Sequence, residues 1–265
     1  MPLKPEVPMS GTFVQLLLRG LLAGLVAGLL AGAVAFVAGE PHIESAIALE
    51  EAAGEAHSPG AAEHSHDAEE AAGHSHGNDA TVSRAGQKVG LFLATALAGL
   101  AIGALFATVL HFARRHTSLP GPVLAFTGAG LGWLAIGAVP FLKYPANPPA
   151  VGDPDTIDQR TWLWAATVVL GLITVAVAEI VAKALANNEF RTVRLVAPVL
   201  AFLIVVSLGY LVLPTIDEVG EDFPATLLWD FRVSSFAVQI ALWATLGSAF
   251  AFLTERASRH VRVVA

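Results

Sequence analysis

The sequence has no cysteine and little charge. None of its 265 residues is Cys, and Asp, Glu, Lys and Arg together make up 14%. The absence of cysteine excludes a disulfide framework, a thiolate zinc site, an iron–sulfur cluster and a cysteine nucleophile. Soluble domains carry about 25% charged residues, so this composition argues against a soluble enzyme. The net charge of −7 argues against nucleic acid as a partner.

Long apolar segments dominate the chain instead. Hydrophobic residues make up 55% of it, and the mean hydropathy is +0.64. Crossing a hydrocarbon layer about 30 Å thick takes roughly 20 apolar residues of helix, and no alternating pattern of the barrel type occurs here. We therefore predict an all-α polytopic membrane protein, with residues 1–265 forming a single integral membrane domain. Its bundle of about six transmembrane helices is predicted at about 20–38, 89–110, 123–142, 161–182, 195–213 and 233–254.

The loops differ in charge. If the N-terminus is cytoplasmic, ten Lys and Arg residues fall on the inner side and five on the outer side, the asymmetry expected from the positive-inside rule. Of the 22 acidic residues, 18 then lie outside. We predict a multi-pass protein of the bacterial inner membrane with both termini in the cytoplasm.

The first apolar segment has two interpretations. Ala33-Val34-Ala35 resembles a signal-peptide cleavage site, but the apolar run exceeds the about 7–15 residues usual for a signal peptide. Glycines also recur at every fourth position from Gly20 to Gly32 and share one helix face, where another helix can pack closely. This spacing favours a retained span.

The first outer loop is rich in histidine. Residues 40–51 have the pattern of a short helix on the membrane surface, whereas 55–80 are predicted to form a disordered His/Glu-rich extracytoplasmic loop. Neutral imidazole is a good ligand for cobalt, nickel, copper and zinc, so five histidines within 20 residues predict transition-metal binding. The candidate metal ligands are these five and three residues just after the first span: His57, His64, His66, His74, His76, Glu40, His42 and Glu44.

The second outer loop contains five prolines between residues 140 and 154. Prolines stiffen a loop and remove backbone donors, so the segment is either a rigid linker or an ordered cap over a pore mouth. Its carboxyl and amide oxygens favour the cap, with a polar lining of Lys143, Tyr144, Asn147, Asp153 and Asp155. The acidic run at 217–222 has the pattern of a solvated face, with attraction of cations as the alternative. Glu179 is expected to pair with Lys183, one helical turn away.

Three motifs resemble the CbtA family of predicted cobalt-transporter subunits. They read GEPHI at 39–43, PFLKYPANPPAVGDPDTI at 140–157 and FPATLLWDFR at 223–232. The resemblance covers nearly the whole chain outside the His-rich loop. It implies cobalt uptake linked to cobalamin synthesis, beside a small single-span partner, CbtB, with a His-containing tail. The family is commonly described with five spans, one fewer than predicted here.

These observations predict an integral membrane subunit of a divalent transition-metal uptake system that captures metal at the outer His-rich loop. The metal is cargo, cobalt in the first place with nickel or zinc as alternatives, and no cofactor is expected. The expected partners are the metal ion, the lipid bilayer and a CbtB-like subunit.

Neither a Walker A motif nor His-Glu-x-x-His occurs, so no enzymatic activity is predicted. The alternative is a membrane-embedded metal-binding or sensing protein that does not transport. The small number of charges within the spans favours this alternative slightly.

Overall fold

The structure is a computed structural model that describes residues 9–56 and 83–264. Within these ranges the chain is helical and has no strand. The α-helices are α1 (Phe13–Val34), α2 (Glu40–Ala56), α3 (Arg84–Ala113), α4 (Gly121–Gly132), α5 (Val139–Lys143), α6 (Ile157–Ala184), α7 (Arg191–Val212) and α8 (Ala225–Val264). Two π-helical segments join α1 to α2 (Ala35–Gly39) and α4 to α5 (Trp133–Ala138), and a 3₁₀ turn (Pro154–Thr156) precedes α6.

Six segments of the described chain are long and apolar enough to cross a membrane. They are Phe13–Ala52, Arg84–Ala113, Gly121–Lys143, Pro154–Ala184, Arg191–Val212 and Ala225–Arg259. Each contains or overlaps one predicted span, so the prediction of an all-α polytopic membrane protein is confirmed. The chain is therefore a multi-pass membrane protein.

The region after the first span differs from its prediction. Residues 40–51 are helical, but α2 continues α1 through the π-helical segment and is not a separate surface helix. Because α2 extends to Ala56, the predicted disorder does not begin at residue 55. The remainder of the predicted loop, 57–80, lies outside the described residues.

Helices α1 and α3 pack with their backbones in contact. A Cβ placed on Gly24 would lie 2.1 Å from the carbonyl oxygen of Gly99, and one on Gly20 would lie 2.4 Å from that of Gly103. A Cβ on Gly28 would similarly lie 2.2 Å from the carbonyl oxygen of Thr95. Only glycine allows this approach, so the predicted packing role of the glycine spacing is confirmed.

The π-helical segment Trp133–Ala138 lies between α6 and α8. On one side, a Cβ on Gly171 of α6 would lie 2.1 Å from the carbonyl oxygen of Ala135. On the other side, the Trp133 ring packs edge-on against Phe236 of α8, with centroids 5.6 Å apart. π-Helical segments inside α-helices are frequent at functional sites because they displace side chains from the regular helical register.

The two chain ends lie at the same end of the bundle. The Ser10 and Ser258 hydroxyls are 2.9 Å apart, and Arg114 donates to the carbonyl oxygens of Met9 and Gly11. We call this the terminal end, and the opposite end, formed by residues 140–157 and 213–224, the loop end. The arrangement agrees with two termini on one side of the membrane; the assignment of that side to the cytoplasm stays a prediction.

Candidate functional site

Two of the candidate metal ligands belong to a cluster of four charges at the loop end. An oxygen of Glu40 lies 2.5 Å from Arg84 and 3.7 Å from Lys88, while Glu44 lies 2.6 Å from Lys88 and 3.8 Å from Arg84. Glu40 is only 8% exposed. In each helix the two residues are four apart and therefore share a face. The cluster joins α2 to α3, the helices on either side of the His-rich segment.

His42 does not join this cluster. It lies two residues after Glu40, about 200° around the helix, so its side chain leaves α2 in a different direction from the two carboxylates. Within residues 9–56 and 83–264, no three His, Asp or Glu side chains are placed so that they could hold a metal ion. Metal binding by Glu40 and Glu44 would require release from Arg84 and Lys88.

The Glu40, His42 and Glu44 site therefore stays a prediction. The other candidate ligands, His57, His64, His66, His74 and His76, lie outside the described residues.

A cavity of about 900 Å³ lies between the helices at the loop end. Loop residues line one part of it, and Trp243 of α8 lines another. Trp243 is eleven residues beyond Arg232, about 16 Å along the helix axis, which is about half of a 30 Å hydrocarbon layer. The cavity thus reaches from the loops toward the middle of the predicted membrane layer. Its polar lining residues include Lys143, Tyr144, Asn147, Arg160, Thr215, Asp217, Glu218, Arg232 and Gln239.

The proline-rich segment is ordered and lines the cavity, as the cap hypothesis predicts. Lys143, Tyr144 and Asn147 contribute to the lining. Asp153 and Asp155 were predicted to do so as well, and that prediction is wrong because both side chains are exposed outside the cavity. The physical reason is local: the Asp153 carboxylate accepts a hydrogen bond from the Asp155 N–H and so caps the 3₁₀ turn.

Hydrogen bonds tie the proline-rich segment to the rest of the loop end. The Lys143 ammonium donates to the Tyr210 carbonyl oxygen over 3.0 Å, and the Tyr144 hydroxyl donates to that of Pro214 over 2.7 Å. Arg232 donates to the side-chain oxygen of Asn147 over 2.9 Å. Burial raises the pKa of Tyr144 above its ordinary value, which keeps the phenol protonated as a donor. These bonds fix the cavity rim to α7 and α8.

Glu218 has a structural role that its sequence context does not indicate. It accepts hydrogen bonds from the Thr156 hydroxyl over 2.6 Å and the Asp153 N–H over 3.2 Å, and it lies 3.3 Å from Arg160. Its side chain is only 14% exposed. The expectation of a merely solvated acidic face is therefore wrong for Glu218. Its neighbour Asp217 is exposed and lines the cavity.

Sequence reasoning missed the two arginines and the glutamine of the lining as site residues. Gln239 is an amide within an apolar span, and that signal could have singled it out. The Oε1 atom of Gln239 and the Nε atoms of Arg160 and Arg232 are buried without a hydrogen-bond partner in the described part of the chain. Such atoms are uncommon, because an unpaired buried polar group costs about 1–3 kcal/mol.

These features define the chain as a multi-pass helical membrane protein with a cavity that reaches in from one end and is lined by both polar and apolar residues. A family described as probable cobalt transporter subunit (CbtA) matches residues 13–255, and the chain belongs to this family. The family is described as one of transporter subunits, which is consistent with a partner subunit and with the prediction of no enzymatic activity. No curated protein and no solved structure matches the chain.

Proposed function

We propose that this chain is the membrane-embedded subunit of a cobalt uptake system in a bacterial inner membrane, and that cobalt enters through the loop-end cavity. The observation that carries the proposal is this cavity, found in a member of a family of probable cobalt transporter subunits. Transport sites commonly lie near the middle of the bilayer, the depth of Trp243. In this proposal the loop end faces outward, both termini are cytoplasmic, and cobalt is the cargo.

The His-rich segment would collect metal at the outer surface. Its ligands would be His57, His64, His66, His74 and His76, with Glu40, His42 and Glu44 receiving the ion once Arg84 and Lys88 release the carboxylates. Free imidazole has a pKa of about 6.5, so binding is expected to be strong at about pH 7.5 and weak near pH 5.5. The chain would act with a small CbtB-like single-span subunit.

Cobalt uptake by proteoliposomes tests the proposal. Vesicles that contain the full chain and its partner subunit should accumulate cobalt in the lumen, and vesicles without the chain should not. Vesicles with the chain alone show whether the partner is required. Cobalt that binds to the vesicles but never enters the lumen would contradict transport.

That last outcome would support the second candidate, a metal-binding or sensing protein. The observation that favours this candidate is the scarcity of charge within the six predicted spans, in which Glu179 is the one charged residue. Many transporters place ionisable groups at the membrane midplane.

A further inference from the structure

The polar groups of the loop-end cavity have a net positive charge. Lys143, Arg160 and Arg232 contribute three positive charges, and Asp217 and Glu218 contribute two negative ones. Glu218 is already engaged by Arg160, by the Thr156 hydroxyl and by the Asp153 N–H. A bare divalent cation would therefore meet more positive than negative charge. Of the two carboxylates in the lining, only that of Asp217 forms no ion pair or hydrogen bond in the described structure.

The cavity is also large for a hydrated ion. Six water molecules at about 30 Å³ each occupy about 180 Å³, roughly one fifth of the cavity. Volumes of about 300–1,000 Å³ are typical of pockets that bind small organic molecules. Much of the lining is apolar or aromatic, including Trp164 and Trp243, which suits a carbon-containing ligand better than an aqua ion.

The buried polar atoms on the lining residues include both donors and an acceptor. Arg160 and Arg232 each have a buried Nε–H that has no acceptor in the described ranges, and guanidinium groups are well suited to bind carboxylates. The Oε1 atom of Gln239 is a buried acceptor without a donor there, and Asp217 adds a carboxylate. The two guanidinium groups of the lining thus suit a carboxylate ligand, and the exposed Asp217 carboxylate suits a metal ion.

From this lining we infer that the cavity binds the metal as a small polycarboxylate chelate with a net negative charge and not as the bare aqua ion. A chelate with one negative charge would neutralise the excess positive charge of the lining, whereas a free tricarboxylate would leave uncompensated negative charge in a partly buried site. The inference rests on the proposed function, because it names the form in which the transported metal enters.

Equilibrium dialysis of the full-length chain in nanodiscs with radiolabelled citrate, with and without equimolar cobalt, tests this inference. The measured quantity is bound citrate, and any contribution of the His-rich segment is the same in all variants. Wild type should bind citrate more tightly with cobalt than without it. Arg232→Gln should weaken binding of cobalt–citrate about ten-fold or more, because it removes a charge-assisted hydrogen-bond donor.

Three variants make the test specific. Arg191→Gln removes a positive charge from the exposed start of α7, outside the cavity lining, and should bind cobalt–citrate as wild type does. Arg160→Gln should weaken binding as Arg232→Gln does, and Arg232→Lys, which keeps the charge, should bind with intermediate affinity. The melting temperature of each variant shows whether it folds. If Arg232→Gln does not fold, the binding of cobalt–citrate by Arg232→Lys is compared with that of wild type instead.

The outcomes separate this inference from the proposed function. Equal binding of citrate with and without cobalt, or equal loss in Arg232→Gln and Arg191→Gln, overturns the inference. Proteoliposomes that accumulate cobalt from cobalt chloride but bind no cobalt–citrate overturn the inference and leave the uptake function standing. Binding of cobalt–citrate in the cavity without any accumulation of cobalt supports the ligand class and contradicts uptake.

Discussion

The contact between α1 and α3 gives the sharpest structural prediction. Adding one methyl group at Gly24 should destabilise the protein, because its Cβ would lie 2.1 Å from the carbonyl oxygen of Gly99 and 3.0 Å from the Cα atom of Gly103. Carbon and oxygen atoms normally approach no closer than about 3.3 Å. The helices must therefore separate locally by about 1.2 Å, the difference between 3.3 and 2.1 Å.

The size of the effect follows from the packing that is lost. A gap of 0.5–1 Å removes about a quarter to a half of each dispersion contact, and overpacking typically costs about 1–3 kcal/mol. We expect Gly24→Ala to lower the free energy of unfolding by about this amount. For a chain of this size, each kcal/mol corresponds to a fall in melting temperature of about 2–4 °C.

Gly90→Ala is the matched control. Gly90 also lies within a helix, α3, but a Cβ there would have no neighbour within 4 Å. This substitution should be neutral or stabilising by up to about 1 kcal/mol, since alanine favours helix more than glycine does. Thermal unfolding of both variants in the same detergent provides the comparison. Equal melting temperatures for Gly24→Ala and Gly90→Ala would refute the close-packing account.

Three further predictions concern the loop end. Glu40→Gln should lower the free energy of unfolding by about 1–3 kcal/mol, since it leaves two cations of the α2–α3 cluster short of a carboxylate. Glu179→Gln, which removes only an exposed ion pair, should change the melting temperature little, and an equal loss in both variants would argue against the cluster. The stability difference between wild type and Tyr144→Phe should be constant below pH 10.0, the ordinary pKa of the phenol, and lost as the pH rises through the raised pKa of the folded state. Unfolding measured across pH checks this, and a difference that grows with pH would contradict it. Deleting residues 56–78 should raise the metal concentration for half-maximal cobalt uptake and leave the maximal rate unchanged, whereas His42→Ala should lower the maximal rate. The opposite pattern in the uptake assay would contradict the proposed roles of the two regions.

Features that depend on local sequence could be predicted. The spans follow from the length of their apolar runs, and the glycine face of α1 follows from a four-residue spacing. The expected pair of Glu179 and Lys183 forms, with nitrogen and oxygen 3.1 Å apart, because residues four apart on a helix are neighbours.

Features that depend on which helices are neighbours could not be predicted. Glu40 and Glu44 pair with cations 44 residues away, and nothing in the local pattern indicates this partner choice. Arg160, Arg232 and Gln239 meet in one cavity only because α6 and α8 pack on either side of the π-helical segment Trp133–Ala138. The sequence pattern of that segment does not differ from that of an α-helix.

The absence of cysteine makes a direct test of the cavity as the route for cobalt possible. Ala146 is exposed and lines the cavity, so a thiol introduced by Ala146→Cys is the only thiol in the chain and can be labelled with a bulky, membrane-impermeant maleimide. Asp222→Cys places the control thiol at an exposed position of the same end, outside the lining. Cobalt accumulation in proteoliposomes should be abolished by labelling the Ala146→Cys variant and unchanged by labelling Asp222→Cys. Undiminished uptake by the fully labelled Ala146→Cys variant would contradict entry through the cavity.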